Sequence, residues 1–214
     1  MAEDLVTAIV NFKKDVALAT AQSRLEAGDK PLDIIQDCQK GMEIVGERYK
    51  NGEYYLSELV LSGQIFKGVL ALVQPHLGDA RQKDKGAIVI ATVKGDLHDI
   101  GKDIVANLFE SRGFEVFNLG VDVPAEVIVG KMREASAQFV GLSCLLTTSI
   151  QSMKETVKAI EEAGRRNSVK VLIGGGVTIP ETREFVGADF QTRDALEGIE
   201  YCLNSRKGRS VDEA

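Results

Sequence analysis

From residue 87 onward, short apolar runs rich in β-branched residues alternate with segments of helical periodicity. The runs lack polar alternation, which is typical of strands buried on both faces of a parallel sheet. The intervening helices would cover both faces, so residues 86–214 are predicted to form a doubly wound α/β domain. The predicted strands are 87–93, 114–120, 139–145, 170–176 and an edge strand at 188–192, and the predicted helices are 101–113, 124–138, 149–164, 179–187 and 194–208.

The first 78 residues have a different period, because apolar side chains recur there every three or four residues. Pro31 suits the first turn of a helix, and residues 51–55 (NGEYY) indicate a turn. We expect a bundle of three or four helices in a first domain, 1–85, which a polar linker at 79–86 joins to the α/β domain. The apolar residues at helical spacing are Leu5, Ile9, Phe12 and Val16, then Leu32, Ile35, Met42, Val45 and Tyr49, then Leu56, Leu59, Val60, Phe66, Val69, Leu70 and Val73.

Charge, cysteine content and missing motifs disfavour several classes of function. The 214 residues carry a net charge of −6, which opposes general binding to a nucleic-acid backbone. The N-terminus lacks the basic residues of a secretion signal, and no run of about 18 apolar residues indicates a membrane span. Three widely spaced cysteines without a CxxC pair argue against a disulfide framework or a zinc knuckle, and favour a reducing cytoplasm. Neither GxGxxG after the first strand nor a P-loop motif is present.

One of only two histidines, His98, lies between Asp96 and Asp99 where the first predicted strand ends. Open α/β sheets bind their ligands at the carboxyl ends of the strands. An imidazole can bind a metal through one nitrogen while a carboxylate holds the other. Because no second histidine and no cysteine or glutamate cluster lies nearby, such a metal would arrive with its other ligands attached. The alternative is a surface histidine stabilised by a neighbouring acid.

The loops after the third, fourth and fifth predicted strands also carry polar or glycine residues: LSCLLTTS, IGGGVTIP and QTRDA. Three consecutive glycines at 174–176 would let the backbone approach something flat or bulky. A tight turn from strand to loop is the alternative explanation. Together with the loop of His98, these loops place four polar segments at one edge of the sheet.

Three short motifs occur in order on the first, third and fourth predicted strands. They are Asp96-x-His98-x-x-Gly101, Ser143-x-Leu145 and Gly174-Gly175. This ordered set resembles the cobalamin-binding domain of methionine synthase and of corrinoid methyl-carrier proteins. The helical half, including GERYKNGEYYLSEL (46–59), is similar to the cap domain of that family. The resemblance implies an N-terminal helical bundle cap followed by a Rossmann-like, flavodoxin-like cobalamin-binding domain with a doubly wound parallel sheet.

The resemblance implies that cobalamin or a related corrinoid binds with its lower base displaced and its nucleotide tail threaded into the sheet. His98 would be the lower axial ligand to cobalt, Asp96 would hydrogen-bond to His98, and Ser149 would extend that relay. Tyr55 and Leu59 of the cap would cover the upper face, with ordinary bundle packing as the alternative. The implied cofactor contacts in the α/β domain are Gly95, Asp96, Leu97, His98, Asp99, Ile100, Gly101, Ser143, Leu145, Thr147, Gly174, Gly175 and Ala195.

The function implied by the resemblance is transport of a methyl group on cobalt. A substrate:corrinoid methyltransferase would supply it from a methylamine, methanol or a methoxylated aromatic, and a corrinoid:acceptor methyltransferase would remove it. These catalytic partners and a reductive activase would be separate polypeptides, with neither nucleic acid nor membrane involved. Two alternatives remain: a corrinoid-sensing regulator, disfavoured because no basic recognition helix is visible, and the small subunit of an adenosylcobalamin mutase, which the helical cap disfavours.

Overall fold

The structure is a computed structural model, and it describes residues 4–77 and 84–207. The chain divides into two compact units, Met1–Gly78 and Asp79–Ala214. The predicted linker, 79–86, starts at this division, and its residues 79–83 lie outside the described residues. Residues 208–214 also lie outside them.

In the first unit, the described residues form a bundle of four α-helices and one short 3-10 helix, Gln74–His76. Pro31 begins the third α-helix as predicted, and residues 51–55 form the turn before the fourth. The core between the helices contains Ile9, Val45 and Val69, which are fully buried. The α-helices are α1 (Leu5–Val10), α2 (Lys14–Glu26), α3 (Pro31–Lys50) and α4 (Leu56–Val73).

A break separates α1 from α2, although the spacing of the apolar residues predicted helix throughout this segment. Phe12 has a φ of +59°, in the left-handed region that ends a right-handed helix. The Lys13 N–H donates back to the Ala8 carbonyl at 2.8 Å and closes the last turn. The Phe12 ring packs against Tyr54 with the ring centroids 5.1 Å apart. This contact is distant in sequence, so helical spacing alone did not reveal the break.

By length and composition alone, one helical segment is able to cross a membrane. Within the 21-residue segment from Leu56 to His76, an 18-residue stretch has a mean hydropathy of 1.5, and 33% of that stretch is buried. Sequence analysis predicted no membrane span, because it found no run of about 18 apolar residues, and Glu58 and Lys67 do interrupt this segment. Helix α4 packs against both α2 and α3, as the core helix of a bundle does. The absence of a membrane span stays a prediction.

The second unit contains a five-stranded parallel sheet in the order β2-β1-β3-β4-β5, which is the flavodoxin-like order. The predicted doubly wound α/β domain is confirmed, and the strands end one or two residues earlier than predicted. The strands are β1 (Ala87–Thr92), β2 (Glu115–Asn118), β3 (Phe139–Ser143), β4 (Lys170–Gly174) and β5 (Phe190–Gln191). The helices are α5 (Ile100–Ser111), α6 (Ala125–Glu134), α7 (Ile150–Glu162), α8 (Pro180–Val186) and α9 (Ala195–Lys207).

The strand order places a topological switch point between β1 and β3. The chain leaves β1 towards β2 on one side and leaves β3 towards β4 on the other, so a crevice opens between their loops. The register pairs Ile88 with Phe139 and Thr92 with Ser143, which brings the carboxyl ends of β1 and β3 level. Every residue of β1 is buried, as its continuous apolar run predicted. His98 follows this strand and therefore lies beside the switch point.

Candidate functional site

The loop after β1 begins with a tight turn that only glycine suits at its third position. The Asp96 N–H donates to the Val93 carbonyl at 3.2 Å, and Gly95 has a φ of +86°. The Gly95 N–H donates to Oδ1 of Asp122 at 2.7 Å, and the Asp122 N–H donates to the Asp96 carbonyl at 2.9 Å. The turn is therefore fixed to the loop that follows β2.

The carboxylate of Asp96 is fully buried and accepts four hydrogen bonds. Its Oδ1 accepts the backbone N–H of His98 at 3.0 Å and lies 2.6 Å from the ring Nδ1 of His98. Its Oδ2 accepts the backbone N–H groups of Leu145 and Leu146 at 2.5 and 3.0 Å. A carboxylate has about four acceptor sites, so this set satisfies it. Asp96 consequently joins the loop after β1 to the loop after β3.

These contacts determine the charge of Asp96 and the proton position on His98. Burial opposes ionisation of Asp96, but the hydrogen bonds from Leu145, from the His98 ring and from the other backbone donors hold its pKa below the ordinary value of 3.8. An ionised Asp96 requires a donor, so the proton of a neutral His98 ring is assigned to Nδ1. The Nε2 atom then presents a lone pair, and no described residue binds it. The His98 side chain is 52% exposed.

Thr92, Asp122 and Leu146 are parts of this arrangement that sequence reasoning missed. The Thr92 hydroxyl, buried at the end of β1, donates to the backbone carbonyl of His98 at 2.7 Å. Thr92 and the Asp96 hydrogen bonds thus hold the backbone of His98 from both sides. A signal for Thr92 was present, since it is the one polar side chain in the strand AIVIAT. Asp122 lies in the loop after β2, to which sequence analysis assigned no role.

The predicted contact residues of the α/β unit all lie at the carboxyl edge of the sheet. They occupy strand ends, loops and first helical turns that follow β1, β3, β4 and β5. The residues after β1 are Gly95, Asp96, Leu97, His98, Asp99, Ile100 and Gly101. The others are Ser143 and Gly174 at strand ends, Leu145 and Gly175 in loops, Thr147 and Ser149 in a short 3-10 helix (Thr147–Ser149), and Ala195 at the start of α9. Their contact with a cofactor stays a prediction.

Apolar side chains are exposed close to the Asp96–His98 pair. Leu97 is 71% exposed, and Leu145 and Leu146, which donate to Asp96, are 42% and 40% exposed. Gly101, in the first turn of α5, borders open space, because an added Cβ would meet no heavy atom within 4 Å. Exposed apolar groups at a sheet edge are typical of a ligand-binding surface.

Ser149, predicted to extend the hydrogen-bond relay, is buried beside the first loop. A Cβ added to Gly95 would lie 3.0 Å from the Ser149 Oγ, so the two residues are neighbours. Within the described parts of the chain, no hydrogen bond joins Ser149 to Asp96, whose oxygens accept from His98, Leu145 and Leu146. The relay thus runs from His98 to Asp96, and its extension by Ser149 stays a prediction.

The glycines after β4 have an explanation within the protein itself. Gly175 has a φ of +114°, and an added Cβ would lie 2.0 Å from the Cys144 carbonyl oxygen. The close approach of two loops therefore requires glycine at position 175, which favours the tight-turn interpretation there. At Gly174 an added Cβ would be 3.2 Å from the Thr192 carbonyl oxygen, a less severe contact. Room for a nucleotide tail beside these glycines stays a prediction.

The two predicted cap residues belong to the helical unit. Tyr55 directly precedes α4, its N–H donates to Glu58 at 3.0 Å, and its side chain is 73% exposed. Leu59 lies in the first turns of α4 and is half-buried. Leu56 and Val60 on the same helix are 62% and 52% exposed, so this end of α4 presents apolar groups to solvent. Coverage of a cofactor by Tyr55 and Leu59 stays a prediction.

The donor set fits a metal that is already held by a macrocycle. Over residues 4–77 and 84–207, no group of three or more His, Cys, Asp and Glu side chains could hold a metal ion. His98 would supply one nitrogen ligand, and the corrin macrocycle would supply its own nitrogen donors to cobalt. The exposed His98 ring and the three exposed leucines therefore fit a corrinoid, in which cobalt needs a single protein ligand.

Comparisons with known proteins agree with this chemistry. Residues 86–200 match the family model described as B12 binding domain, and residues 1–74 match a second B12 binding domain model. A corrinoid protein of Desulfitobacterium hafniense (strain Y51) is 36% identical over 205 residues, covering 92% of this chain and 94% of the relative. The dimethylamine corrinoid protein of Methanosarcina barkeri is 33% identical over 199 residues, and this match covers 92% of this chain and 93% of that relative.

A solved structure agrees over both units. The monomethylamine corrinoid protein of Methanosarcina barkeri matches with a TM-score of 0.87 at 30% sequence identity. The match covers 95% of this chain and 97% of that protein. The chain therefore belongs to the B12-binding family of corrinoid methyl-carrier proteins, and its cofactor is a cobalamin.

Proposed function

We propose that this protein carries a methyl group on corrinoid cobalt from a substrate:corrinoid methyltransferase to a corrinoid:acceptor methyltransferase. The observation that carries the proposal is the exposed ring of His98, whose Nδ1 lies 2.6 Å from the buried carboxylate of Asp96. When bound, the corrinoid supplies a cobalt that can accept a methyl group and release it. Membership in the corrinoid methyl-carrier family supports this function.

His98 would hold cobalt from below through Nε2, and Asp96 would control the electron density of the ring. A carboxylate on Nδ1 fixes the ring orientation and makes Nε2 more basic. Because the pKa of Asp96 is held below its ordinary value, Asp96 stays ionised at neutral pH. The ionised carboxylate therefore keeps the ring proton on Nδ1 and leaves Nε2 able to bind a metal.

The exposed leucines at the rim would make apolar contact with the corrin and exclude water from the His98 ligand. Leu145 and Leu146 are fixed in position because their N–H groups bind Asp96. The carboxylate that orients His98 therefore also orients part of this apolar surface. We propose that Tyr55 and Leu59 of the cap shield the upper face, where a methyl group must be protected from solvent.

The reconstitution spectrum tests the proposed role of His98. The apoprotein is incubated anaerobically with hydroxocobalamin, freed of excess ligand, and compared with His98→Ala. We expect the wild type to retain the corrinoid with a base-off, histidine-ligated spectrum that the substitution changes. His76→Ala is the matched control, because His76 is the other histidine and lies in the helical unit. Failure of the wild type to retain any corrinoid would refute the proposal.

The donor is proposed to be a methylated amine, since relatives named for dimethylamine and monomethylamine are 33% and 30% identical over most of their length. Methanol and methoxylated aromatics are the competing donors. The holoprotein is reduced and mixed in turn with a purified methyltransferase for each donor class, and methylation is followed by the change in corrinoid absorption. Methylation with an amine methyltransferase alone supports the assignment, and methylation only with another class overturns it. A reductive activase would be needed to restore inactive holoprotein.

A further inference from the structure

The loop between β5 and α9 carries a cation that nothing in the described chain neutralises. Arg193 is exposed, and its Nε donates to the Thr178 carbonyl at 3.2 Å. An arginine side chain has five N–H donors, and the other four have no partner among the described residues. Arg193 also forms no ion pair within residues 4–77 and 84–207. Arg193 therefore keeps most of its capacity for an anion.

The single contact of Arg193 fixes its base to the loop after β4. Thr178 is fully buried, and its hydroxyl donates to the Gly175 carbonyl at 2.9 Å. The Thr178 carbonyl also accepts a hydrogen bond from Nε2 of Gln191 at 3.1 Å. Since Thr178 is held on several sides, the guanidinium anchored to it is partly preorganised. Preorganisation lowers the entropic cost of binding an anion.

The nearest acidic side chains in the sequence are engaged elsewhere. Asp194 accepts the N–H of Leu196 at 2.8 Å, and Glu197 accepts the Thr192 hydroxyl at 2.6 Å. Neither carboxylate forms an ion pair with Arg193 among the described residues. Although the chain has a net charge of −6, an unpaired arginine at the edge of the site attracts anions locally.

Arg193 and His98 lie on the same edge of the sheet, separated by the loops of β3 and β4. In the order β1-β3-β4-β5, three strand spacings separate their strands, or about 14 Å at the usual spacing between neighbouring strands. A corrinoid extends from its cobalt through a long side chain to a phosphodiester, and in cobalamin this group carries the negative charge of the nucleotide tail. A tail laid across the loops of β3 and β4 would bring that phosphate to β5.

We propose that Arg193 binds the phosphodiester of the corrinoid's nucleotide tail, an inference that rests on the cobalamin assignment. The guanidinium would donate two charge-assisted hydrogen bonds to the phosphate oxygens, with Nε still bound to Thr178. His98 and Arg193 would thus hold the cofactor at two distant points.

Three corrinoids test this contact: cobinamide, which lacks phosphate, cobinamide phosphate, and cobalamin. Dissociation constants are measured by absorption titration for the wild type, Arg193→Gln and Arg193→Lys. We expect Arg193→Gln to raise the dissociation constants of cobalamin and cobinamide phosphate roughly tenfold, as is typical for loss of a hydrogen bond to a charged group. The dissociation constant of cobinamide should change by less than about twofold. The dissociation constants of Arg193→Lys for the two phosphate-bearing corrinoids should lie between those of the wild type and Arg193→Gln, because lysine keeps the charge but lacks the planar fork of donors.

Arg112→Gln is the matched control, since it removes an exposed arginine at the end of α5, at the opposite edge of the sheet. It should leave all three constants unchanged. The proposal would be overturned if Arg193→Gln lowered the affinity for all three corrinoids equally, or for none of them. A lower affinity for cobalamin with an unchanged affinity for cobinamide phosphate would also overturn it, because the contact would then lie on the ribose or base. If the wild type binds none of the three, the corrinoid assignment itself fails.

Discussion

The Nδ1 atom of His98 lies 2.6 Å from Oδ1 of Asp96, and the same oxygen accepts the backbone N–H of His98 at 3.0 Å. One buried oxygen thus fixes both the main chain and the ring of the residue predicted to hold cobalt. The ring cannot turn without losing a hydrogen bond to a buried charge, which is a costly loss. The other oxygen of Asp96 binds the loop after β3, so the ligand and the rim share one anchor.

Asp96→Asn should weaken ligation by His98 while keeping the shape of the side chain. If the NH2 group of asparagine faced Leu145 and Leu146, it could not accept from their two N–H groups. If the NH2 group faced His98 instead, Nδ1 would have to accept its proton, and the ring proton would move to Nε2, where the metal must bind. We expect a loss of tenfold or more in corrinoid affinity, measured by absorption titration. Asp122→Asn is the control, because an amide oxygen can still accept the Gly95 N–H. An unchanged affinity in Asp96→Asn would contradict the assigned role.

Asp96 should also make the stability of the fold depend on pH in the acidic range. Burial raises its pKa, but the hydrogen bonds lower it further, so the folded pKa lies below the ordinary value of 3.8. The stabilisation from Asp96 is therefore fully present above the unfolded pKa and is lost as pH falls through the folded pKa. Urea unfolding midpoints between pH 3 and 7 should fall at the acid end for the wild type. The fall should be smaller in Asp96→Asn, and an equal fall in both proteins would refute this linkage.

Thr92→Val should destabilise the loop that presents His98. The substitution keeps the shape of a β-branched side chain but removes the hydroxyl that donates to the His98 carbonyl at 2.7 Å. Loss of this hydrogen bond should lower the free energy of unfolding by about 1–2 kcal/mol. Urea denaturation measures the change in the free energy of unfolding. Thr92→Ser keeps the hydroxyl and should therefore lose much less stability than Thr92→Val. If Val and Ser variants are equally destabilised, lost methyl packing and not the hydrogen bond is responsible.

Two glycine substitutions should separate structural glycines from those that border the cofactor. Gly175→Ala should fold poorly or not at all, because its Cβ would lie 2.0 Å from the Cys144 carbonyl at a φ of +114°. Gly101→Ala should keep or slightly raise stability, since its Cβ would meet nothing and alanine favours helix by up to about 1 kcal/mol. Thermal unfolding of the apoproteins checks both expectations. Corrinoid affinity of Gly101→Ala should nevertheless fall, and an unchanged affinity would show that the open space is not used.

The three cysteines should be unreactive in the native protein. Burial raises the pKa of Cys38 to about 12 and that of Cys144 to about 11, and it also raises the pKa of Cys202. The reactive thiolate is therefore scarce at pH 8. A chromogenic disulfide reagent should modify the native protein slowly and modify all three thiols rapidly in denaturant. A fast native reaction, mapped by mass spectrometry, would show that the modified cysteine is accessible and would contradict its described burial.

The sequence by itself determined the α/β alternation, the helical first unit and the edge of the sheet where the site lies. These features follow from local patterns, since β-branched apolar runs favour buried strands and periodic apolar residues favour helices. The position of His98 after β1 was visible for the same reason. The left-handed Phe12 was not visible, because a ring contact with the distant Tyr54 accompanies that break.

Only the tertiary structure decided the partners of the site residues. Asp96 meets the N–H groups of Leu145 and Leu146, which are 49 and 50 residues away, because β1 and β3 are neighbours in the sheet. Gly175 must be glycine because of Cys144, not because of its own neighbours in the chain. Such contacts depend on strand order and register, which a local pattern does not encode. The chemistry of a histidine beside an aspartate is local, but its burial, proton position and anchoring depend on segments that meet only in the folded chain.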